Sequence, residues 1–182
     1  MLDIEISRRN LLVGGACLMA TSLLPNVALA SQTAPARMLK FYNPNTGERV
    51  SAYYWEKGRY LADGLDEFNW LFRDYRADDA KMAIDHRLFD QLFELQRRLG
   101  NQREIHVICG YRSAQTNAHL RNKSRGVAKK SLHMQGQAVD INIPGVPLSM
   151  LRKGAVSLKA GGVGYYPRSN FVHIDTGPRR QW

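Results

Sequence analysis

Cysteine is scarce in this sequence, and its scarcity limits the covalent chemistry of the fold. The 182 residues contain only Cys17 and Cys109. Cys17 lies in an N-terminal segment that we expect to be removed, which leaves one thiol and excludes an internal disulfide. Cys109 ends the apolar run Ile105 to Cys109, where a lone cysteine is typical of a small core residue. We therefore assign it no chemistry.

Long apolar runs, internal repeats and low-complexity segments are also absent. The longest apolar run, Leu11 to Leu24, is short for a bilayer-spanning helix and is interrupted by glycine and serine. With 44% hydrophobic and 23% charged residues, the composition is that of a globular protein with a packed core. Fibrous, repeat and wholly disordered classes are excluded, and the length suits one domain.

The first 30 residues carry the pattern of an export signal. Arg8 and Arg9 precede the apolar run, and Ala28 to Ala30 forms a small-residue cleavage site. The paired arginines are similar to signals of the twin-arginine route, whose machinery would then be a partner. We expect residues 1–30 to be a removable signal peptide, residues 31–182 to form the working domain, and the mature protein to be periplasmic without a membrane span. An N-terminal anchor that is never cut is the alternative.

Acidic residues are outnumbered, with 16 Asp or Glu against 26 Lys or Arg and a formal net charge of +10. The charges of residues 1–30 cancel, so the surplus belongs to residues 31–182. Such a surplus ordinarily suggests a nucleic-acid partner. Export argues against nucleic acid and favours attraction to anionic wall polymers and peptide carboxylates, which salt would weaken. Charge that serves solubility alone is the alternative.

The spacing of apolar residues predicts an α+β domain. Helical spacing predicts helices at Ala62 to Tyr75, around Leu88 to Leu99, at Ser113 to Asn122 with Ser113 as N-cap, and at Pro147 to Ala160. Strands are predicted at Met38 to Tyr42, Glu48 to Trp55, Glu104 to Cys109, Gln137 to Ile143, Gly161 to Tyr166 and Asn170 to Asp175. The first two strands form a hairpin around Asn43 to Gly47. This order favours a largely antiparallel sheet with flanking helices.

Histidine and carboxylate side chains concentrate on the last predicted strands. His133 lies just before the strand that carries Asp140, and His173 lies on a later strand. Two histidines and a carboxylate can hold zinc while leaving a fourth position open for water. Because polar and apolar residues alternate on both strands, the three side chains can share one face. The same alternation is typical of an ordinary half-exposed strand, so these residues alone leave both interpretations open.

Several segments together resemble a known family of peptidases. They are Gly110 to Ser113 with Asn117, Arg125 to Lys130, Ser131 to Asp140, Gly161 to Arg168 and Phe171 to Asp175. The chain resembles the zinc D-Ala-D-Ala carboxypeptidase and murein endopeptidase family, which shares a fold with the hedgehog signalling domain. Within that family it is most similar to exported murein endopeptidases. The resemblance covers essentially the whole chain.

The resemblance implies a metallopeptidase with one Zn²⁺ per chain, held by His133, Asp140 and His173. Zinc lowers the pKa of a bound water from about 15.7 to about 7, which supplies a hydroxide near neutral pH. Arg112 matches the family's substrate-facing arginine, whose planar cation holds a carboxylate or the oxyanion of the tetrahedral intermediate. Ser131 either binds the substrate backbone or closes its own loop.

The family's usual general base is missing from its expected position. Relatives carry Glu, Asp or His two or three residues before the last zinc histidine, where this chain has Phe171 and Asn170. Asp175 lies two residues after His173 and should face the same side of the strand. We therefore take Asp175 as the candidate base, and the alternative is that it orients His173.

Three functions follow from the resemblance. The first is a murein endopeptidase that hydrolyses peptide cross-links of peptidoglycan, between two meso-diaminopimelates or between D-Ala and meso-diaminopimelate. The second is a carboxypeptidase that trims terminal D-Ala, and the third is a non-catalytic wall-binding module that keeps zinc for structure. Arg112 beside a ligand set of three favours an enzyme, because structural zinc usually has four protein ligands.

Overall fold

The computed structural model describes residues 35–100, 102–124 and 126–182. The expected export signal, residues 1–30, lies outside the described residues. Within the described residues, no helix has both the length and the apolar character needed to cross a membrane.

The described part of the chain begins with the predicted hairpin, which is confirmed. Strands β1 (Arg37–Tyr42) and β2 (Arg49–Glu56) pair antiparallel. Gly47 closes the turn with a φ of +76°, a value that favours glycine, and its N–H donates to the Asn43 carbonyl at 2.8 Å. A two-residue strand, β3 (Arg59–Tyr60), then adds to the edge beside β2.

Four helices and five further strands complete the domain. The helices are α1 (Ala62–Leu71), α2 (His86–Arg98), α3 (Ala114–Lys123) and α4 (Leu148–Leu158). The strands are β4 (Ile105–Cys109), β5 (Ala138–Asn142), β6 (Gly162–Tyr166), β7 (Phe171–Asp175) and β8 (Arg180–Gln181). Short 3₁₀ turns occupy Leu132–Gln135 and Pro167–Ser169. Every predicted helix and strand is present, whereas β3, β8 and the two 3₁₀ turns were not predicted.

The eight strands form one sheet in the order β3-β2-β1-β4-β5-β7-β6-β8. β1 pairs with β4 and β6 pairs with β8 in parallel, and the other five pairings are antiparallel. The prediction of an α+β fold with a largely antiparallel sheet is confirmed.

The hydrophobic core lies on one face of the sheet, and the polar residues of the site lie on the other. Buried side chains of α1, α2 and α4 join one face of the strands, where Val139 and Ile141 of β5 lie beside Ile174 and Val172 of β7. Because side chains alternate along a strand, the intervening Asp140 and His173 point to the opposite face. Core packing therefore determines which face carries the polar residues.

A β-bulge in β4 changes the face to which Cys109 points. Val107 pairs with Ile141, but Cys109 pairs with Asp140, so the register shifts by one residue at Ile108. Simple alternation would have placed Cys109 beside Val107 in the core. The structure instead places its half-buried side chain on the Asp140 face. The sequence-based interpretation of Cys109 as a core residue was wrong.

Candidate active site

A row of paired residues crosses four strands of the sheet and forms the floor of the site. Cys109 of β4 pairs with Asp140 of β5, Asp140 pairs with His173 of β7, and His173 pairs with Gly164 of β6. Directly paired residues of neighbouring strands point to the same face. Antiparallel pairing therefore brings Asp140 and His173 together from positions 33 residues apart.

His133 reaches this row from the 3₁₀ turn that precedes β5. The Ser131 hydroxyl accepts from the His133 N–H at 3.4 Å and caps the turn, and Gly136 ends it with a φ of +65°. A Cβ on Gly136 would lie 2.5 Å from the Ala83 carbonyl oxygen, so glycine is needed there for close approach as well. The His133 side chain is buried there, 3% exposed.

The three predicted metal ligands converge on one point. His133 Nε2 lies 3.2 Å from His173 Nδ1 and 3.3 Å from Asp140 Oδ1. His173 Nδ1 lies 2.8 Å from Asp140 Oδ1. Tetrahedral zinc, with bonds of about 2.0–2.1 Å, holds its ligand atoms about 3.3 Å apart, so the set fits such an ion.

The hydrogen bonds on the far side of each ring select the histidine tautomers. His133 Nδ1 is 2.8 Å from the Gly110 carbonyl oxygen, which accepts only from a protonated nitrogen. His173 Nε2 is likewise 3.0 Å from Asp175 Oδ2. In neutral rings, His133 Nε2 and His173 Nδ1 therefore carry lone pairs and face Asp140 Oδ1. Three acceptors this close repel one another unless a cation or proton lies among them.

The pKa shifts of the three side chains also favour positive charge in the cluster. Burial alone would lower the pKa of His133, but the Asp140 carboxylate raises it to about 10. Burial lowers the pKa of His173, but the hydrogen bond to Asp140 raises it by more, so the pKa lies above its ordinary value. The pKa of Asp140 falls well below its usual range, because the pull of both histidines exceeds the opposing effect of burial. The cluster therefore attracts positive charge.

Asp175 lies beside the cluster and is saturated with hydrogen bonds. Its Oδ1 accepts from the N–H groups of Gly162 at 3.0 Å and Gly177 at 2.9 Å, and from Arg180 Nη1 at 3.2 Å. Its Oδ2 accepts from His173 Nε2 and, at 2.6 Å, from Arg180 Nη2. Burial raises the pKa of Asp175, but these donors, His173 foremost, bring it down to about 2. Asp175 contacts the ring nitrogen of His173 that faces away from the other two ligands.

Arg112 adds a buried cation next to the ligand set. Its backbone N–H donates to the His133 carbonyl at 3.2 Å. Nη1 donates to Asn117 Oδ1 at 3.3 Å, and Nη2 lies 4.0 Å from Asp140 Oδ2. The side chain is 9% exposed, and Nε has no hydrogen-bond partner among the described residues. A buried donor without a partner is costly, which favours an oxygen of a bound molecule at this position.

The helix after Arg112 is braced as its sequence predicts. Ser113 is the N-cap of α3, and its hydroxyl accepts from the Thr116 N–H at 3.1 Å. Asn117 holds Arg112 with its carbonyl oxygen, and its Nδ2 donates to the Ala128 carbonyl at 3.2 Å. Ser131 caps its own turn, which agrees with the loop-closing role, and its contact with substrate stays a prediction.

The ligand set opens into a cleft of about 310 Å³. One wall is aromatic, since the rings of Tyr166 and Phe171 stack at 4.6 Å and Trp182 Nε1 donates to the Tyr166 hydroxyl at 2.7 Å. The Trp182 indole lies on Gly164, where a Cβ would come within 2.7 Å of the ring. The cleft is also lined by Ser124, by residues between Gly126 and Leu132, and by Arg112. An open ligand set in a cleft leaves room for a substrate.

Three residues contribute to the site in ways that the sequence did not predict. Cys109 Sγ lies within 4.8 Å of donor atoms of His133 and Asp140, and 3.5 Å from Arg112 Nη2. Gly110 supplies the carbonyl that orients His133, and Arg180 supplies the charge that neutralises Asp175. The bulge, the carbonyl direction and the pairing of β8 depend on tertiary contacts, and no local pattern marks them.

Gly110 was part of the recognised motif, and the structure gives the physical reason for a glycine there. The neighbouring Tyr111 N–H donates to the Phe72 carbonyl at 2.7 Å, which presses this turn against the end of α1. A Cβ on Gly110 would lie 2.4 Å from that carbonyl oxygen and 2.8 Å from Phe72 Cα. The glycine thus permits the approach that places its own carbonyl beside His133.

The geometry of the site is that of a candidate metal centre with an open position. Two histidines and one aspartate present free lone pairs at the floor of an open cleft, and a buried arginine lies beside them. Such a set leaves a coordination position free for a reacting water, unlike a structural site closed by four protein ligands.

Comparison with known proteins identifies the family. A family model described as peptidoglycan L,D-endopeptidase MepK matches residues 31–182. The chain is 50% identical over 179 residues to the peptidoglycan L,D-endopeptidase MepK of Escherichia coli strain K12, with 98% of each chain covered. It is 45% identical over 181 residues to the probable peptidoglycan L,D-endopeptidase MepK of Haemophilus influenzae, covering 98% of this chain and 97% of the relative.

The chain therefore belongs to the MepK family of peptidases. The resemblance inferred from the sequence motifs is confirmed, and so is the prediction that the protein is an enzyme of the hydrolase class.

Proposed function

We propose that this protein is a zinc-dependent murein endopeptidase that hydrolyses peptide cross-links of peptidoglycan. One observation carries the proposal: three lone pairs, from His133, Asp140 and His173, converge within 3.3 Å at the floor of an open cleft. The relatives named as peptidoglycan L,D-endopeptidases support the choice of substrate. The expected bond is one between two meso-diaminopimelates, with the D-Ala to meso-diaminopimelate bond as a second target.

His133, Asp140 and His173 are the residues that would hold one Zn²⁺. Bound there, zinc would supply a hydroxide near neutral pH and polarise the scissile carbonyl. The Gly110 carbonyl and Asp175 fix the ring orientations, so the lone pairs face the cleft before any ion arrives. Arg112 would stabilise the negative charge that develops on the carbonyl oxygen, because its guanidinium lies beside Asp140 and has a free buried N–H.

Of its two predicted roles, we assign Asp175 the orientation of His173. A general base works best with a pKa near the working pH, whereas the pKa of Asp175 is about 2. Five donors occupy its oxygens, and the His173 ring separates it from the other ligand atoms. Its negative charge would raise the basicity of His173 and keep the ring in place.

Substitution of Asp175 separates the two roles. We expect Asp175→Asn to weaken zinc binding by about 10- to 100-fold, as the loss of a partner behind a metal ligand generally does. Excess zinc should then restore most of the turnover. The measurement is a zinc titration of peptidase activity together with zinc content after dialysis. A zinc-saturated variant that remains slower by about 100-fold or more would instead make Asp175 the base.

The test of the proposed function is mass spectrometry of purified cross-linked wall fragments after incubation with residues 31–182. The endopeptidase should convert cross-linked dimers to monomers, and a chelator should stop the reaction until zinc is added back. The masses of the products identify the bond that is cut. Loss of only a terminal D-Ala would mean a carboxypeptidase, and intact dimers despite bound zinc would mean a wall-binding module.

We further propose that residues 1–30 are a twin-arginine signal peptide and that the mature enzyme works in the periplasm. The paired Arg8 and Arg9, the apolar stretch and the Ala28 to Ala30 site support this. The family model also begins its match at residue 31. Sequencing of the N-terminus of the exported protein should find Ser31 first, and recovery of the uncut chain in the membrane fraction would indicate an anchor.

A further inference from the structure

The charge of the protein is divided unevenly along the chain. Residues 1–104 contain 14 Lys or Arg and 14 Asp or Glu, whereas residues 105–182 contain 12 Lys or Arg and two acidic residues. The two are Asp140 and Asp175, which are 6% and 0% exposed and belong to the site. The whole formal net charge of +10 therefore lies in residues 105–182, and their surface presents no acidic side chain.

Four exposed cations border the cleft and are called the cationic rim here: Lys123, Lys129, Lys130 and Arg168. Lys130 lines the cleft, and each of the others is next in sequence to a residue that does. Among the described residues, no carboxylate forms an ion pair with any of the four. Six cations of residues 35–104 do form ion pairs, namely Arg37, Arg49, Arg73, Arg87, Arg97 and Arg98.

An unpaired group of like charges opposes folding through self-repulsion, and it attracts anions from solution. The cationic rim also continues inwards, from Lys130 at the cleft wall to the buried Arg112 beside Asp140. Positive charge that leads into a concave cleft suits an anionic peptide chain that enters the cleft. A flat anionic surface, in contrast, would contact only the outer cations. Low-dielectric walls strengthen such a field and raise association rates.

We propose that the cationic rim binds the free carboxylates of wall peptides, so that cross-links bearing carboxylates are cleaved in preference to those in which they are amidated. The proposal rests on the proposed function, because it places these carboxylates on the substrate of the same cleft. The rim acts before the chemical step, by raising the local concentration of anionic peptide. Its effect therefore enters KM and weakens with salt, whose screening length falls from about 10 Å at 0.1 M to about 3 Å at 1 M.

Matched charge reversals test this assignment. The rim variant carries Lys123→Glu and Lys129→Glu, which are exposed and do not line the cleft. The control carries Lys153→Glu and Lys159→Glu on and just after α4, which packs against the core face of the sheet. Both pairs change the net charge equally, within the same part of the chain. Lys123 and Lys159 also both lie at the end of a helix.

The kinetic measurement uses two synthetic cross-linked peptides, one with free carboxylates and one with carboxamides. For the free carboxylates at low salt, we expect the rim variant to lower kcat/KM about tenfold through KM, and the control less than twofold. The difference should disappear near 1 M salt, and the carboxamide peptide should not distinguish the variants. Equal losses in both variants, or a loss that persists at 1 M salt, would overturn the proposal.

A binding measurement separates failure of this proposal from failure of the proposed function. With His133→Ala added to block cleavage, co-sedimentation with purified wall sacculi should decrease in the rim variant and not in the control. This result would support the rim even if the wild type cleaved no cross-link. Unchanged sedimentation would count against it. Salt-sensitive binding of the wild type to anionic phospholipid vesicles, lost in the rim variant while peptide kinetics stay unchanged, would reassign the rim to a membrane surface.

Discussion

Replacing His133 with alanine should reduce cross-link cleavage by at least about 1,000-fold. The substitution removes Nε2, one of the three lone pairs that converge within 3.3 Å. A catalytic metal lowers the activation barrier by several kcal/mol, and each 1.4 kcal/mol is a factor of about ten in rate. The measurement is the rate of conversion of cross-linked dimers, with zinc content determined on the same samples. We expect the loss of zinc to parallel the loss of rate.

His119→Ala is the matched control, because His119 is exposed on α3 and takes no part in the site. It should retain both zinc and activity. A His133→Ala protein that keeps full zinc and near-normal cleavage would remove His133 from the ligand set. The remaining candidates would then be His173, Asp140 and the nearby Cys109.

Replacing Arg112 with lysine should lower kcat by about 100- to 1,000-fold at unchanged zinc content. Lysine keeps the positive charge but loses the planar fork that donates to Asn117 and lies beside Asp140 at the same time. Removal of one preorganised donor from an oxyanion site generally costs this much. Steady-state kinetics on a soluble cross-linked peptide measures the effect, and Arg121→Lys, exposed on the same helix as His119, is the control.

The division of the Arg112→Lys effect between kcat and KM distinguishes the two roles considered for this residue. An arginine that holds the oxyanion acts only in the transition state, so kcat falls and KM is little changed. An arginine that holds a substrate carboxylate acts in the ground state as well, so KM rises and kcat is preserved. The second outcome would extend the cationic rim into the cleft and leave oxyanion stabilisation to the metal alone.

The Gly110 carbonyl and Asp175, which accept from the far ring nitrogens of His133 and His173, show how the site accommodates its buried polar side chains. His133 and His173 each donate one ring N–H to a fixed acceptor. Both carboxylate oxygens of Asp175 in turn accept hydrogen bonds, from donors that include Gly162, Gly177 and Arg180. A buried carboxylate without such donors would favour its neutral form. The arrangement is therefore preorganised for a cation, which lowers the reorganisation that binding requires.

The sequence by itself determined the local elements and the overall class. Helical signals, which are apolar spacing in α1 and α2 and the N-cap Ser113 in α3, predicted the helices, and the polar turn around Gly47 predicted the first hairpin. Both signals depend on residues a few positions apart, so they survive without tertiary information. Helix α1 ends at Leu71 and not at Tyr75, and beyond its end the Asp74 carboxylate accepts from the backbone N–H groups of Arg76 and Ser113.

The motif also indicated the candidate metal ligands, through resemblance. Alternation on β5 and β7 placed Asp140 and His173 on the polar face, and the antiparallel register of the two strands then paired them directly. The residues alone could not distinguish this from an ordinary half-exposed strand. What decided it was the position of His133, whose turn is packed against the loop at Ala83.

Only the tertiary structure decided which groups surround and orient the candidate ligands. The bulge at Ile108 turned Cys109 toward the site, and close contact with Phe72 directed the Gly110 carbonyl to His133. The parallel pairing of β8 with β6 brought Arg180 to Asp175. Each of these depends on strand register or backbone contact between segments distant in sequence, whereas periodicity reports only which face a residue prefers along its own element.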